Sequence, residues 1–436
     1  MRKNNKEKTL VLFLYLFILI FYSFDINSKP LNEIFDISLK AATSEPNVIS
    51  GRIEVQSAEA DLSASKRTRL PVFNAAIVNG LIIDRNIRDN FSQRKREDEG
   101  LDLRLQMVQP IFTGFKIQSD INRNKAIVSG SVLEANNRFS QTIIECISAY
   151  INYHYAISLK NSVENNLNKS KRIVDLEKKR YDAGLTDLSV YSQIRVKLSE
   201  IQLLYNMVQN ELLGYEAAFR RFFPDENIKS STNTSYKDYD FDLININAAS
   251  YELEKAKFEL EAAKADLLKS RGDRLPSVAL TVTGTLFDVD GSDYEDEEYD
   301  IQGGLQASWQ FLDFGVNRKK VSSKRSRVNS IKYRIDYQRR IDEVQKLSLL
   351  SNIAAINKQL NEQYEIRNDL DDQSKIMDAQ LTASQFIGLS LIDLLYQRDQ
   401  IQRNINSLES QHVEANLRLK LLTQSLQDFV VSRSVN

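Results

Sequence analysis

Two long stretches of the chain carry mostly apolar residues at alternating intervals of four and three positions. The first seam is Ile194, Leu198, Ile201, Tyr205, Val208, Leu212, Tyr215, Phe219 and Phe222, and the second is Ile401, Ile405, Leu408, His412, Ala415, Leu419, Leu422 and Leu426. This heptad spacing predicts long helices that pack against other helices, as in coiled coils. His412 lies on the second seam without a partner cluster in sequence, which favours a packed core residue over a metal ligand.

A different pattern, with period two, marks four short segments as strands: residues 72–83, 101–112, 277–287 and 299–312. The clearest runs from residue 301 to residue 311, where apolar residues alternate with polar residues and glycine. Soluble sandwiches and membrane β-barrels both show this alternation. Four strands cover too little of the chain for a sandwich core, yet they cannot close a barrel alone. Because unpaired backbone groups in lipid cost several kcal/mol each, a membrane barrel would need several copies.

The chain repeats its own layout. Arg69-Leu70-Pro71 recurs as Arg274-Leu275-Pro276, and a charged loop, residues 84–100, separates the first two strands. Each half reads as a helix, a hairpin and long helices. The first repeat is residues 29–222, with helix from residue 31 to 70, hairpin 72–112 and helices 115–222. The second is residues 247–428, with helix up to residue 274, hairpin 277–312 and helices 316–428. A polar linker, 223–246, joins them, and residues 429–436 form a tail.

The composition argues against several classes of function. The chain has 436 residues, a formal net charge of -1, one cysteine (Cys146) and two histidines, so nucleic acid is not an expected partner and a thiolate metal cluster is excluded. Scarce glycine and proline are typical of long helices. No nucleophile–base pair, metal triad or phosphate loop stands out. We therefore expect no enzymatic activity, no metal and no cofactor.

The N-terminus is a separate segment. Basic residues precede an uncharged run, residues 10–24, and polar residues follow it. A basic region before a short apolar region predicts a secretory signal peptide, residues 1–28. A retained membrane anchor is the alternative, although the run is shorter than the roughly 20 residues of a spanning helix. No cysteine follows for a lipid anchor.

Beyond these patterns, the chain resembles the TolC family of outer-membrane efflux proteins over about residues 31–428. The resemblance rests on the duplicated layout and on the two helix ends that carry RLP. It rests also on QPIFTGF (109–115), WQFLDFG (309–315), YDAGLTDLSVYSQ (181–193) and FIGLSLIDLLYQR (386–398). It implies an α+β membrane protein, mostly helical, in which a homotrimer closes a twelve-stranded β-barrel, four strands per chain, continued by a periplasmic α-helical barrel.

The resemblance assigns roles to the junctions between helices and strands. Pro71 and Pro276 would mark where a periplasmic helix gives way to a membrane strand. Proline suits this place because it cannot continue a helix and loses no ladder bond at a strand's first residue. The reverse junctions, where a strand returns to a helix, are Pro110, Gly114, Asp313 and Gly315.

In the family, helical hairpins end at glycine tips on which periplasmic adaptor proteins dock. The matching tips here are Ala183-Gly184-Leu185 and Ile387-Gly388-Leu389. The alternative is that both glycines are only helix C-caps, which need a positive φ, and the two interpretations are compatible.

Family members also carry pore-facing aspartates beyond the second tip, and Asp393 is the matching candidate. It lies one residue closer to Gly388 than the family pattern, and Tyr396 replaces the second carboxylate. Three copies of Asp393 would form a charged constriction that attracts cations. A solvated surface aspartate is the alternative. Ser189 and Phe386 replace the polar residues that link the tips in the family's closed state.

The implied function is a passive outer-membrane exit for efflux or type I secretion. Its partners would be a periplasmic adaptor, an inner-membrane transporter of the ABC or RND type, and outer-membrane lipids. The acidic segment 288–300 is interpreted as a solvated loop rather than a calcium loop, because Asp293 stands where such a loop needs glycine. The rival function is an exported coiled-coil scaffold without a channel.

Overall fold

The computed structural model describes residues 30–89, 92–226, 241, 247–286, 299–382 and 388–434. The predicted signal segment, most of the predicted linker and residues 288–298 of the acidic segment lie outside these residues. Among the described helices, none combines the length and the apolar character that a membrane crossing requires.

Long helices dominate the described chain, and four strands interrupt them. The elements in order are α1 (Pro30–Ser44), α2 (Pro46–Arg67), β1 (Val72–Asp89), β2 (Ser92–Phe112), α3 (Lys116–Asp182), α4 (Leu188–Phe222), α5 (Tyr251–Gly272), β3 (Ser277–Leu286), β4 (Tyr299–Ser308), α6 (Val316–Thr382), α7 (Gly388–Leu422) and α8 (Leu426–Ser434). Corresponding helices of the two halves have equal lengths: α2 and α5 have 22 residues, α3 and α6 have 67, and α4 and α7 have 35. The predicted order of elements, helix–hairpin–helices twice, is therefore present.

Several predicted boundaries are wrong. The helix predicted over residues 31–70 is two helices, because Glu45 is extended and Pro46 begins α2. The helix predicted to continue to residue 428 ends at Leu422, and Gln424 with φ 55° turns the chain into α8. The fourth strand ends at Ser308 rather than at residue 312.

The charged segment 84–100, predicted as a loop, is mostly paired strand. The backbone of β1 pairs with β2 from Val72↔Val108 to Asp89↔Ser92, with one irregularity between Ile82 and Arg85. The high charge of this segment concealed its strand character, because the prediction relied on apolar alternation.

The four strands form one antiparallel sheet in the order β1-β2-β3-β4. Pairing of β2 with β3, from Leu103↔Leu286 to Phe112↔Val278, joins the two halves of the chain. The strands β1 and β4 are the edges of this sheet.

The register places most of the apolar residues of the four strands on one face, although Val72, Val78 and Val108 lie on the other. One row across the sheet runs through Ala75, Leu105, Gly284 and Ile301, and the adjacent row on the opposite face runs through Asn74, Gln106, Thr283 and Gln302. Because neighbours on a strand point to opposite faces, one face is mainly apolar and the other is mainly polar. Ile301 and Leu305 on the apolar face are 69% and 70% exposed, so no other part of the described chain covers them.

Helix α3 is the central element of the helical region. Its first half packs against α2 and α5, and its last half packs against α4 and α7. Between these halves lies the largest apolar cluster, in which α1, α4 and α8 meet α3 around Ile143, Ile147 and Ile151. Helix α6, in contrast, packs chiefly against α5 and α7. At 1.5 Å per residue, a 67-residue helix extends roughly 100 Å.

Candidate functional site

The first glycine tip is a tight turn between α3 and α4. Gly184 has φ 73°, its amide donates to the Tyr181 carbonyl at 2.9 Å, and the Leu185 amide donates to the Arg180 carbonyl at 2.8 Å. This pair of hydrogen bonds is a Schellman motif, which ends a helix and needs a residue without a Cβ at the positive φ. The C-cap interpretation of Gly184 therefore holds, and it leaves the docking prediction open.

The turn also presents apolar side chains to solvent. Leu185 and Leu188 are 68% and 59% exposed, and nothing lies within 4 Å of the position that a Cβ on Gly184 would occupy. Asp187 is the N-cap of α4, because its side chain accepts a hydrogen bond from the Val190 amide at 2.9 Å. A rigid turn with exposed leucines is the structural feature that a docking partner would contact.

The second tip is only partly described. Ile387 lies outside the described residues, as does Phe386, whereas Gly388 is the buried first residue of α7 and Leu389 packs on an apolar cluster. That cluster joins three helices, α3, α4 and α7, through Ile173, Ile194, Leu391 and their neighbours. The region just beyond the second tip is therefore anchored to the helices that flank the first tip.

Asp393, the predicted constriction carboxylate, has a cationic partner in its own chain. Its Oδ1 lies 2.9 Å from Nζ of Lys197 on α4, and its Oδ2 accepts a hydrogen bond from Gln397 at 2.7 Å. Lys197 also lies 3.0 Å from Glu200, and the hydrogen bonds to Asp393 and then Glu200 raise the pKa of the Lys197 amine. The ion pair offsets part of the negative charge that the sequence assigned to this position.

Tyr396, which replaces the second carboxylate, is half-buried. It packs against apolar residues of α3 and α4, and Nζ of Lys197 lies 5.8 Å from the centre of its ring. Lys197 was not predicted from the sequence, because it lies beside the α4 seam and belongs to no motif.

A row of polar residues, here called the polar seam, joins α7 to α3 and was not predicted from the sequence either. Asp399 Oδ1 accepts hydrogen bonds from Ser162 at 3.0 Å and from Asn166 at 2.8 Å. Glu409 accepts hydrogen bonds from Tyr155 on α3 and Tyr364 on α6. The α7 side of this seam follows the same spacing as the apolar seam, but with mixed polarity: Ile392, Leu395, Asp399, Asn406, Glu409, Val413, Asn416 and Lys420. This regular spacing of polar residues along α7 is the feature of the sequence that could have indicated the polar seam.

Of these two carboxyl groups, that of Asp399 belongs to the more deeply buried residue. The residue is 1% exposed, and among the described residues its Oδ2 has no hydrogen-bond partner. Burial raises the pKa of the Asp399 carboxyl above its ordinary value, against the lowering effects of Asn166, Ser162 and the Arg398 charge. Protonation at a higher pH than usual follows, because a neutral acid loses less hydration in this interface.

The junction prolines lie where the sequence placed them. Pro71 and Pro276 are the residues directly before β1 and β3, outside the ladders. Pro110 differs, because it lies within β2, paired with Ala279 beside a register shift that ends at Phe112. A bulge tolerates proline, which has no amide proton for the ladder.

The two strand-to-helix junctions use positive φ angles. Gly114 has φ 62° and lies against Gly272, where a Cβ on either residue would meet the other's carbonyl oxygen at 2.5 Å or less. In the second half, Gly315 has φ 87°, and the Asp313 side chain accepts from the amides of Gly315 at 2.9 Å and Asn317 at 2.8 Å. These contacts fix the direction in which α3 and α6 leave the sheet.

The remaining reactive side chains are packed in the core. Burial raises the pKa of the Cys146 thiol to about 12, so the thiol stays protonated. His412 is buried, its Nε2 lies 3.2 Å from Asn416 Nδ2, and burial lowers the pKa of its imidazole. Across the described part of the chain, no group of His, Cys, Asp and Glu side chains is arranged to hold a metal ion.

The chain has a β-hairpin between helices twice, and the two hairpins form one four-stranded sheet. Residues 38–222 match the family model of outer membrane efflux proteins, and the resemblance to the TolC family is confirmed. A search of curated proteins finds no match.

Solved structures share the fold along nearly the whole chain. A structure of CusC is 12% identical with a TM-score of 0.77, and the alignment covers 93% of this chain and 95% of CusC. The Campylobacter jejuni CmeC outer membrane channel is 12% identical with a TM-score of 0.74, covering 93% and 89%. VceC, an outer membrane protein of Vibrio cholerae, is 14% identical with a TM-score of 0.71, covering 91% and 95%.

Proposed function

We propose that the protein is an exit channel in the outer membrane, with its helices in the periplasm. Substrates would reach it from an inner-membrane transporter of the ABC or RND type through a periplasmic adaptor. The observation that carries this proposal is the uncovered apolar face of the sheet, with Ile301 and Leu305 exposed, together with a polar opposite face. In a membrane β-barrel, the apolar face of the sheet would contact lipid and the polar face would line a water-filled lumen.

Closure of the sheet would require more than one copy. Within the described residues, β1 pairs only with β2 and β4 pairs only with β3. Free edges in lipid are costly, so β4 of one copy would pair with β1 of the next. Three copies would give the twelve-stranded barrel that the resemblance implies, and the helices, roughly 100 Å long, would continue it as a tunnel.

Adaptor docking is proposed at the two tips. Leu185 and Leu188 give the first tip an exposed apolar surface on a turn fixed by Gly184. Leu389 and Gly388 begin the described part of the second tip. The predicted site therefore combines a rigid backbone with an apolar side-chain surface, which suits a protein partner.

The constriction role of Asp393 can be tested against its partner Lys197. If Asp393 faces the pore, Asp393→Ala removes a negative charge and lowers cation selectivity, whereas Lys197→Ala frees that charge and raises cation selectivity. Reversal potentials in planar bilayers under a salt gradient measure both effects. Equal selectivity in the wild type and in both variants would contradict the pore role and favour a surface ion pair.

Electron microscopy of the protein in detergent tests the channel itself. A three-fold particle with a hollow stalk of roughly 100 Å supports the proposal. The exported scaffold predicts a particle without a lumen that stays in solution after detergent removal. Single-channel conductance in a planar bilayer provides the functional check. A folded trimer that does not conduct would contradict the proposed channel function.

A further inference from the structure

The helix ends that adjoin the sheet carry a group of exposed cationic side chains. We name them the cationic collar: Lys66, Arg67, Arg271, Arg318, Lys319, Lys320, Arg325 and Arg327. They lie at the end of α2, the end of α5 and the start of α6, which are the ends that lead to or from strands. In the described part of the chain, none of the eight side chains has an ion pair or a hydrogen bond.

Three carboxylates of α3 and of the α5 end are already engaged. Asp120 pairs with Lys269 at 2.8 Å, and Asp273 pairs with Lys116 at 3.0 Å. Asp266 pairs with Arg123 at 3.2 Å and lies 3.6 Å from Lys324. The internal ion pairs therefore use other cations, and the collar keeps its positive charge.

The placement of three of these cations opposes the helix dipole. Arg318, Lys319 and Lys320 lie in the first turns of α6, and no acidic residue occupies the first turn. The N-terminus of a helix carries partial positive charge, which favours anions and disfavours cations. The Asp313 side chain, which accepts hydrogen bonds from the amides of Gly315 and Asn317, offsets part of this positive charge. One carboxylate stands against three cations, and an anionic partner outside the chain would offset the remainder.

The collar is not confined to one side of α6. Val321 and Val328 are buried against neighbouring helices, and at 100° per residue Arg318 and Arg325 lie on one side of them. Lys320 and Arg327 lie on the other side. Whichever side faces outward in an assembly, it carries two cations.

Exposed aromatic residues adjoin the collar on the sheet side. They are Phe73, Phe115, Trp309, Phe311 and Phe314, all between 59% and 91% exposed. An aromatic layer followed by cations is the arrangement expected at a membrane interface, because aromatic rings occupy the headgroup level and cations meet lipid phosphates. Soluble anions would not account for the aromatic layer.

We infer that the cationic collar binds the headgroups of anionic phospholipids in the leaflet that faces the helices. The inference rests on the proposed membrane position of the sheet and adds a lipid class to it. The headgroup phosphates would accept hydrogen bonds from Arg318, Lys319 and Lys320, while the aromatic side chains contact the boundary of the acyl chains.

The test uses the full-length protein in neutral detergent, titrated with phosphatidylglycerol or phosphatidylcholine, with bound lipid counted by native mass spectrometry. We expect wild-type protein to prefer phosphatidylglycerol. The triple variant R318Q/K319Q/K320Q should bind it at least about tenfold more weakly, because each cation near an anionic surface contributes to attraction. The effect should shrink as salt rises.

A matched variant controls for general charge. K332Q/R339Q/R340Q removes three exposed cations from the same helix, about 20–30 Å further from the sheet. Its affinity for phosphatidylglycerol should stay within about twofold of the wild type. Equal loss in both triple variants would overturn the collar as a specific lipid site, and so would equal affinity of the wild type for the two lipids.

Two further experiments distinguish a lipid site from a soluble-anion site, and the collar from the channel. Competition by millimolar inorganic phosphate that removes the bound lipid would overturn the inference in favour of a soluble anion. Conductance in pure phosphatidylcholine bilayers tests the channel separately. A conducting protein without lipid preference contradicts only the collar, whereas a lipid preference without conductance contradicts only the channel.

Discussion

Helices α3 and α6 have equal length and equivalent positions in the two halves, yet their surroundings differ. Helix α3 lies in the middle of the helical region, and its buried side includes Ile143, Ile147 and Ile151. Helix α6 lies at the edge, with α5 and α7 as its main neighbours. Its exposed apolar residues include Tyr333, Tyr337, Val344, Leu347, Ile366 and Ile376.

The two halves of the chain therefore share the lengths of their helices but not the environments of those helices. A single chain can surround α3 with other helices, because α2, α4, α5 and α7 all pack against it. It leaves several apolar side chains of α6 exposed along the helix, and exposed apolar residues that form a patch mark protein interfaces. The edge position of α6 is therefore an independent reason to expect neighbouring copies.

The largest change in the free energy of unfolding is expected from a cavity in the packing around α3. Ile147→Ala should lower the free energy of unfolding by about 2–5 kcal/mol, because Ile147 is buried in the main cluster and the change leaves a cavity. Leu347→Ala on α6 should change it by less than about 0.5 kcal/mol but weaken self-association. Denaturant unfolding and analytical ultracentrifugation in detergent measure the two quantities. Equal destabilisation by both changes would contradict the contrast between the helices.

The next effect concerns the seam between α3 and α7. Because burial raises the pKa of folded Asp399, the folded chain holds this proton more tightly than the unfolded chain. The stabilising contribution is complete below the ordinary aspartate pKa and is lost as pH rises through the raised value. Asp399→Asn should remove this pH dependence and make the protein more stable than the wild type at neutral pH.

Thermal unfolding between pH 4 and pH 8 measures this change in slope. Asp372→Asn is the matched control, since Asp372 is exposed on α6 and pairs with neighbouring Lys375 at 2.8 Å. Its profile should follow the wild type. An Asp399→Asn profile parallel to the wild type would show that folding does not shift the pKa of Asp399, which would contradict the raised value.

A smaller effect is expected where α3 ends. Gly184→Ala should destabilise the turn by about 1–2 kcal/mol, because alanine resists the φ of 73°. Gly214→Ala, inside α4, has open space around its new Cβ and should stabilise the helix by about 0.5–1 kcal/mol. Opposite shifts of the unfolding midpoint are therefore expected, and shifts of the same sign would contradict the turn geometry.

The smallest effect is expected at the ion pair between α4 and α7. Lys197→Ala or Asp393→Ala should each change the free energy of unfolding by less than about 1 kcal/mol, because both side chains are about one third exposed. Denaturant titration at low and high salt measures this. A larger loss would indicate that the pair holds the two helices together.

Part of the candidate site could be predicted from the sequence. The turn at Gly184 was predictable, since glycine between two helical patterns signals a positive φ. The junction positions Pro71, Pro276 and Gly315 were predictable for the same local reasons. The partner of Asp393 was not, because Lys197 is almost 200 positions away and no local pattern joins the two residues.

The order of elements, the heptad seams, the strand alternation and the family resemblance could all be inferred from the sequence alone. These features depend on the spacing of neighbouring residues, which the printed chain shows directly. Only the tertiary structure decided that α3 is central and α6 peripheral, that Asp399 is buried against Asn166, and that charged residues 84–89 continue a strand. These depend on contacts between distant parts of the chain, where packing and backbone pairing override local composition.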